Sequence, residues 1–284
     1  MNQQKIAILV DSCTDIPLDL VKKYNLYVVP LKINYRDKEY LDGVDITAEE
    51  VYNRLPVEIP KTSLPSGSYI VGILDQIKAD GYEKVLAVTI SSGLSGTHNV
   101  INLIGSEYEG LDIFVLDTKN IGMGSGFNAV QAAEYIEEGM DWDTLIQTVS
   151  TNISNSKIFF CVSTLEYLQK GGRIGLVSSI LGNVLNLKPI ISCNEDGVYY
   201  TVAKVRGRKQ SIKKAMDIAV EFAHKRKKYN VAISHSNAEE EANQIKEILV
   251  PLLPNVNIFT IGQISPALGV HAGPGLIGVG IQLL

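Results

Sequence analysis

Cysteine is scarce in this 284-residue chain: Cys13, Cys161 and Cys193 are odd in number and far apart. Each falls in or just after a strand-like run. That fits buried thiols in a reducing compartment better than the alternatives, a disulfide framework or a metal site. No apolar stretch approaches bilayer length. The opening "MNQQKIAILVDS" runs into a short apolar strand, too short for a signal-peptide core, so a cytoplasmic location is expected. Basic excess is missing too. The 26 Lys and Arg stand against 31 Asp and Glu, a formal net charge of -5, which argues against a nucleic-acid partner. No repeat and no low-complexity segment is visible.

What is present is globular: 45% hydrophobic and 20% charged residues, enough chain for one large or two ordinary domains. Short β-rich runs alternate with amphipathic segments. "KIAILV" reads as a strand and "IPLDLVKKY" as a helix capped by Thr14 or Asp15; "LYVVPLKIN" reads as a second strand. "TAEEVYNRL" carries a capping box of Thr47 and Glu50, and "VEIPKTSLPSG" reads as a loop. A helix near Ser66–Asp80, the strands "KVLAVTI" and "DIFVLD", and a helix after each complete the first half. Repeated strand, crossover helix, strand predicts a three-layer α/β/α domain with a parallel sheet over residues 1–155. Its strand-to-helix turns, "DSCTD", "SSGLSGT" and "DTKNIGMGSG", then share one sheet edge, where a ligand should sit.

The second half, 156–284, predicts a mixed α/β domain. "LNLKPIISCNEDGVYYTVAKVRG" reads as two strands turned at Asp196-Gly197. Helices over 208–228 and 238–249 alternate with strands over 230–234 and 256–261. "ISPALGVHAGPGLIGVGIQLL" reads as a turn-rich loop, holding His271, and a final strand.

"SSGLSGT" misses the nucleophile-elbow spacing, because Gly96 comes one place early and Thr97 occupies the second glycine position. A phosphate loop needs a terminal lysine, and no Lys or Arg lies between Lys84 and Lys119. What remains is either a capped turn or a neutral anion site. In the second case Ser91, Ser92, Ser95 and Thr97 offer hydroxyls, and a helix start favours negative charge. Thr62 and Ser63 sit in a proline-stiffened stretch, and His271 lies among glycines that permit close approach; a lone histidine also has an ordinary structural reading. His98, His224 and His235 read as helix or strand-end residues.

"DSCTD", "KTSLPS", "SSGLSGT", "LEYLQKGGRIG", "NLKPII" and "HAGPGLIGVG" occur in the order of the DegV family, which the chain resembles over nearly its whole length. The resemblance implies a bacterial fatty-acid-binding protein with no cofactor, a bound long-chain fatty acid as its ligand, and two α/β domains enclosing the acyl chain. It implies a partner, an ATP-dependent fatty acid kinase subunit that phosphorylates the bound carboxylate to an acyl phosphate for phospholipid synthesis. By motif position Thr62, Ser95 and His271 would hold the carboxylate, with Ser63 and Ser92 behind them. Arg173 and Arg206 would serve phosphoryl transfer or partner docking, Arg208 competing with Arg206 for the match.

Such a grip suits a carboxylate that must later act as a nucleophile. Hydroxyls orient it without a bidentate arginine pair, and His271 would tune the charge near neutral pH. The rival readings are a Ser/His lipid hydrolase using Ser95 and His271, and a lipid-sensing regulator. Ten Lys or Arg against two acidic residues between Lys204 and Lys228 form either a solvated helix face or a contact for an acidic partner or a membrane surface.

Overall fold

The computed structural model describes residues 2–180 and 186–284. Strand β1 (Ile6–Asp11) is buried along its whole length, and after α1 (Leu18–Lys23) strand β2 (Tyr27–Val29) lies parallel to it. Pro30 then interrupts the ladder, since it has no N–H to donate. The run "LYVVPLKIN", expected as one strand, therefore becomes two strands of different sheets. β3 (Lys32–Asn34) is the centre of a three-stranded antiparallel sheet, flanked by β4 (Glu39–Leu41) and, beyond α2 (Ala48–Arg54), by β5 (Lys61–Ser63). The stretch expected as a loop thus contains β5. The capping box of Thr47 and Glu50 is formed as its sequence predicts.

α3 (Gly67–Ala79), β6 (Lys84–Thr89), α4 (Thr97–Glu107), β7 (Asp112–Asp117), α5 (Met123–Glu137) and α6 (Trp142–Thr151) complete a four-stranded parallel sheet in the order β2-β1-β6-β7. Val85 and Ala87 of β6 pack with Ile70 and Leu74 of α3 and Ile101 of α4. Leu86 and Val88, on the other face, pack with Ala129 of α5 and Leu145 of α6. Burial on both faces explains why the strand reads as a continuous apolar run.

β8 (Ser156–Cys161) opens a six-stranded sheet. α7 (Glu166–Lys170) and a 3-10 turn at Gly175–Ile180 follow. β9 (Leu187–Cys193) and β10 (Tyr199–Arg206) form the expected hairpin, Gly197 taking the left-handed φ of +74° that its turn requires. Leu185, at the start of that expected strand, lies outside the described residues. Next come α8 (Arg208–Ala223), β11 (Tyr229–His235), α9 (Glu239–Leu249), β12 (Val256–Gln263), α10 (Pro266–Ala272) and β13 (Ile277–Leu283). α8 is shorter than its expected span, ending at Ala223. The sheet order is β10-β9-β8-β13-β11-β12, with β11–β12 parallel and the other pairs antiparallel.

Every strand of the first two sheets precedes Asn155 and every strand of the third follows it. α5 joins the halves. It is buried nearly all round, packing on β1 and β6 on one side and on β8 and β13 on the other. The Asn120 amide donates to the Ser156 carbonyl, and the Ser156 hydroxyl donates to the Gly124 carbonyl at 2.6 Å. The six-stranded sheet packs Phe159, Ile277 and Val279 against α8. Its opposite face, with Ile158, Phe160 and Ile191, turns toward the first half. No described helix is long and apolar enough to cross a membrane.

Candidate functional site

The carboxyl edge of the parallel sheet faces the inner side of the six-stranded sheet, and a cavity lies between them. All three turns singled out in the sequence reach it: Cys13 and Asp15 from the first, Leu94 and Ser95 from the second, Ile121 and Gly122 from the third. Ile158 and Phe160 supply the facing wall. They are two apart on β8 and so share a side of the sheet. Apolar residues make up most of the lining.

One part of the wall is polar. Thr62 Oγ1 and His271 Nε2 are 2.7 Å apart and share a hydrogen. His271 comes from α10, not from the expected loop. Ser265 caps this helix by accepting from the Leu268 N–H, Pro266 follows the cap, and Gly273 ends the helix at φ +66°. That serine–proline start and glycine stop were legible signals of a short helix. Burial, and next the charge of Arg173, pull the His271 pKa down to about 4, so the ring is neutral at pH 7. The near-neutral switching expected of it is thus displaced to acid. His271 Nδ1 is buried without a partner among the described residues. A proton there would be stranded, which favours the tautomer in which Nε2–H donates to Thr62 and leaves the threonine hydroxyl free to donate onward. Gly171 makes this ring position possible: a Cβ on it would lie 2.2 Å from Nδ1.

Ser95 precedes the first turn of α4. Its Oγ is 2.8 Å from Thr97 Oγ1 and accepts from the Thr97 N–H. Arg173 lines the same cavity, its Nε donating to the Leu94 carbonyl and its Nη1 to the Gly171 carbonyl. A positive charge therefore stands beside the site with two of its N–H groups already engaged. Among the described residues no carboxylate pairs with His271 Nδ1, as the orienting member of a hydrolytic triad would. Among the described residues, no group of three or more His, Cys, Asp or Glu could hold a metal ion.

The other sequence candidates lie elsewhere. Ser63 follows Thr62 on β5, so the alternation of a strand turns it outward, where it accepts from the Asn34 amide. Ser92 Oγ accepts from Lys119, whose ammonium also pairs with Asp117 at 2.7 Å. Ser91 is fully buried and donates to the Gly197 carbonyl, fastening the turn to the β9–β10 hairpin. Arg206 is exposed at the end of β10 and does not line the cavity. Arg208 is paired with Glu241.

A model of the DegV family, a family of uncharacterised proteins, matches residues 5–283. The chain belongs to the DegV family. A DegV domain-containing protein of Clostridium perfringens is 45% identical over 279 residues, covering 98% of this chain and 99% of its own. Among solved structures, DegV, a fatty acid binding protein from Bacillus subtilis, matches with a TM-score of 0.90 at 28% identity, covering 100% of both chains. The stearic acid-binding protein of Eubacterium ventriosum matches with a TM-score of 0.89 at 26% identity, covering 98% of each chain.

In this DegV-family chain the "DSCTD" turn does more than its motif shows. Asp11 accepts from the Cys13 and Ile90 N–H groups, and Asp42 from the Ser12 hydroxyl and the Ala267 N–H at 2.8 Å. These carboxyls tie β1 to β6 and to α10. Burial pushes Asp11 up to about 7 and Asp42 up to about 6. Neither expected cap serves α1, whose cap position is Pro17: Thr14 donates its hydroxyl to the Asp11 carbonyl, and Asp15 takes φ +53° and turns its carboxyl to the Ser265 N–H. Asp15 was missed as a wall residue because nothing local distinguishes it from a capping aspartate.

Proposed function

We propose that this chain binds a long-chain fatty acid, the tail lying in the apolar cavity and the carboxylate held by Thr62, Ser95 and His271. The observation that carries this reading is the meeting of Thr62 and His271, from distant stretches of the chain, on the wall of a largely apolar cavity that Ser95 also lines. The tail supplies affinity: at about 0.8 kcal/mol per CH₂, a long chain gains ~10 kcal/mol gross before the costs of binding. A carboxylate beside His271 would draw its pKa back up, because an opposite charge favours the imidazolium. Fatty acid binding by the Bacillus and Eubacterium relatives supports the same assignment.

In this reading residues 1–155 and 156–284 are two domains closing on one ligand. Thr62 and Ser95 come from the first, His271 and Arg173 from the second. The protein is a carrier without catalysis of its own, presenting the carboxylate to an ATP-dependent kinase subunit, and Arg173 stands where it can stabilise the phosphoryl group in transfer. Arg206, exposed, is assigned to partner docking. The exposed run Lys225–Lys228 is assigned to transient contact with an anionic membrane surface.

Native mass spectrometry of the purified protein, followed by calorimetry with added fatty acids, tests the core of the proposal. A bound fatty acid, and weaker binding in Thr62→Val and His271→Ala, are expected; a protein that neither carries nor takes up a fatty acid overturns it. With a kinase subunit and ATP, acyl phosphate should form on the wild type and not on His271→Ala. Charge reversal at Lys225, Arg226 and Lys227 should slow exchange with anionic vesicles, and unchanged exchange removes the membrane assignment.

A further inference from the structure

Nothing in a plain acyl chain matches the carboxyl of Asp15. Its Oδ1 accepts from the Ser265 N–H at 2.9 Å, but Oδ2 is sealed from solvent without a hydrogen-bond partner among the described residues. A buried oxygen left unpaired is costly, and native proteins avoid it except where function or a ligand accounts for it. Asp15 lines the cavity, unlike Asp11 and Asp42, whose oxygens are fully engaged. The unpaired atom thus belongs to a residue on the cavity wall. Gly122 lies against the atom, and a Cβ there would stand 3.2 Å from Oδ2, so a side chain at this position would crowd it.

The position along the cavity is also defined. Asp15 is fastened to Ser265, the cap at the start of α10, whereas His271 lies in that helix's last turn. At 1.5 Å per residue these points are about 9 Å apart along the axis. Leu268, between them in sequence, lines the same cavity. A chain held by its carboxylate at His271 therefore passes Asp15 well down its length.

We propose that Asp15 makes this cavity a receptor for an acyl chain bearing a hydroxyl near its middle, with Oδ2 as the hydrogen-bond partner of that hydroxyl. A hydroxyl both donates and accepts, so it pairs with the carboxyl in either protonation state. The proposal rests on the fatty-acid reading above. It adds selectivity for where the chain carries oxygen.

Calorimetry with three ligands tests it: stearic acid, stearic acid hydroxylated near mid-chain, and stearic acid hydroxylated next to the carboxyl group. The wild type should bind the mid-chain derivative at least as tightly as stearic acid. Asp15→Ala should weaken that derivative alone by about tenfold, the loss of one buried hydrogen bond. Asp15→Asn tolerates the backbone and keeps a polar pair, so it should retain the preference; Asp15→Gly replaces Asp15→Ala should that variant fail to fold. An unchanged ratio between the ligands in Asp15→Ala, or wild-type rejection of the mid-chain derivative with stearic acid still bound, overturns the proposal and leaves the fatty-acid reading intact. Failure of all three ligands on the wild type removes both.

Discussion

The two regions of the cavity on α10 differ in how many of their polar groups are paired. Around His271 most polar groups are paired, Thr62 with His271 Nε2, Ser95 with Thr97 and Arg173 with two carbonyls, while Nδ1 of the ring has no partner among the described residues. Around Asp15 an oxygen is left unpaired beside apolar neighbours such as Leu268. The first region is preorganised, so a carboxylate arriving there meets donors already aimed and loses little to reorganisation. The second holds an unpaired carboxyl oxygen, with which, on the proposal above, a largely apolar slot would discriminate among ligands.

The largest expected effect removes the apolar wall common to both regions. Phe160→Ala empties a side chain that is 4% exposed in the core. It should cost about 3–5 kcal/mol of stability, read by denaturant unfolding. Next comes the preorganised region. Gly171→Ala has an ordinary helical backbone, φ -78°, so its effect is steric displacement of the His271 ring. Fatty-acid affinity should fall about tenfold, as for His271→Ala, and the double variant should lose little more because both act through one group. Additive losses would show that Gly171 acts independently of the ring.

The pH response separates the buried carboxyls from the histidine. Asp42 at about 6 and Asp11 at about 7 hold their protons more tightly folded than their ordinary 3.8. Their contribution is fully present below about pH 4 and is lost as pH rises through those values, so stability should fall from pH 4 to 7. Asp42→Asn should flatten the part of that curve near pH 6. The His271 pKa is depressed instead, so protonating it below its ordinary 6.5 works against the fold toward pH 4. The smallest effect is expected at Ser63→Ala, which points away from the cavity; binding should stay within about 0.5 kcal/mol of wild type.

Much of this was legible locally. The capping box at Thr47, the Asp196-Gly197 turn and the three polar turns at one sheet edge follow from short-range chemistry, and the structure forms each of them. Other features were written in the sequence but outweighed by stronger signals. The helix cap at Ser265 was hidden among glycines that read as a loop, and β5 lay between two prolines. The fate of "LYVVPLKIN" turned on Pro30, whose effect depends on which strands compete for the segment after it.

By itself the sequence determined which segments become strands and helices, where the polar turns fall, and the motif order that marks a DegV-family chain, because propensity, capping and periodicity act over a few residues. Only the tertiary structure decided that Thr62 meets His271 across 209 positions, that Ser63 and Ser92 face elsewhere, and that Asp15 has an oxygen unpaired among the described residues. Those outcomes depend on side-chain direction and on which distant groups arrive within hydrogen-bond reach. Both are set by the packing of two sheets around α5 and α10.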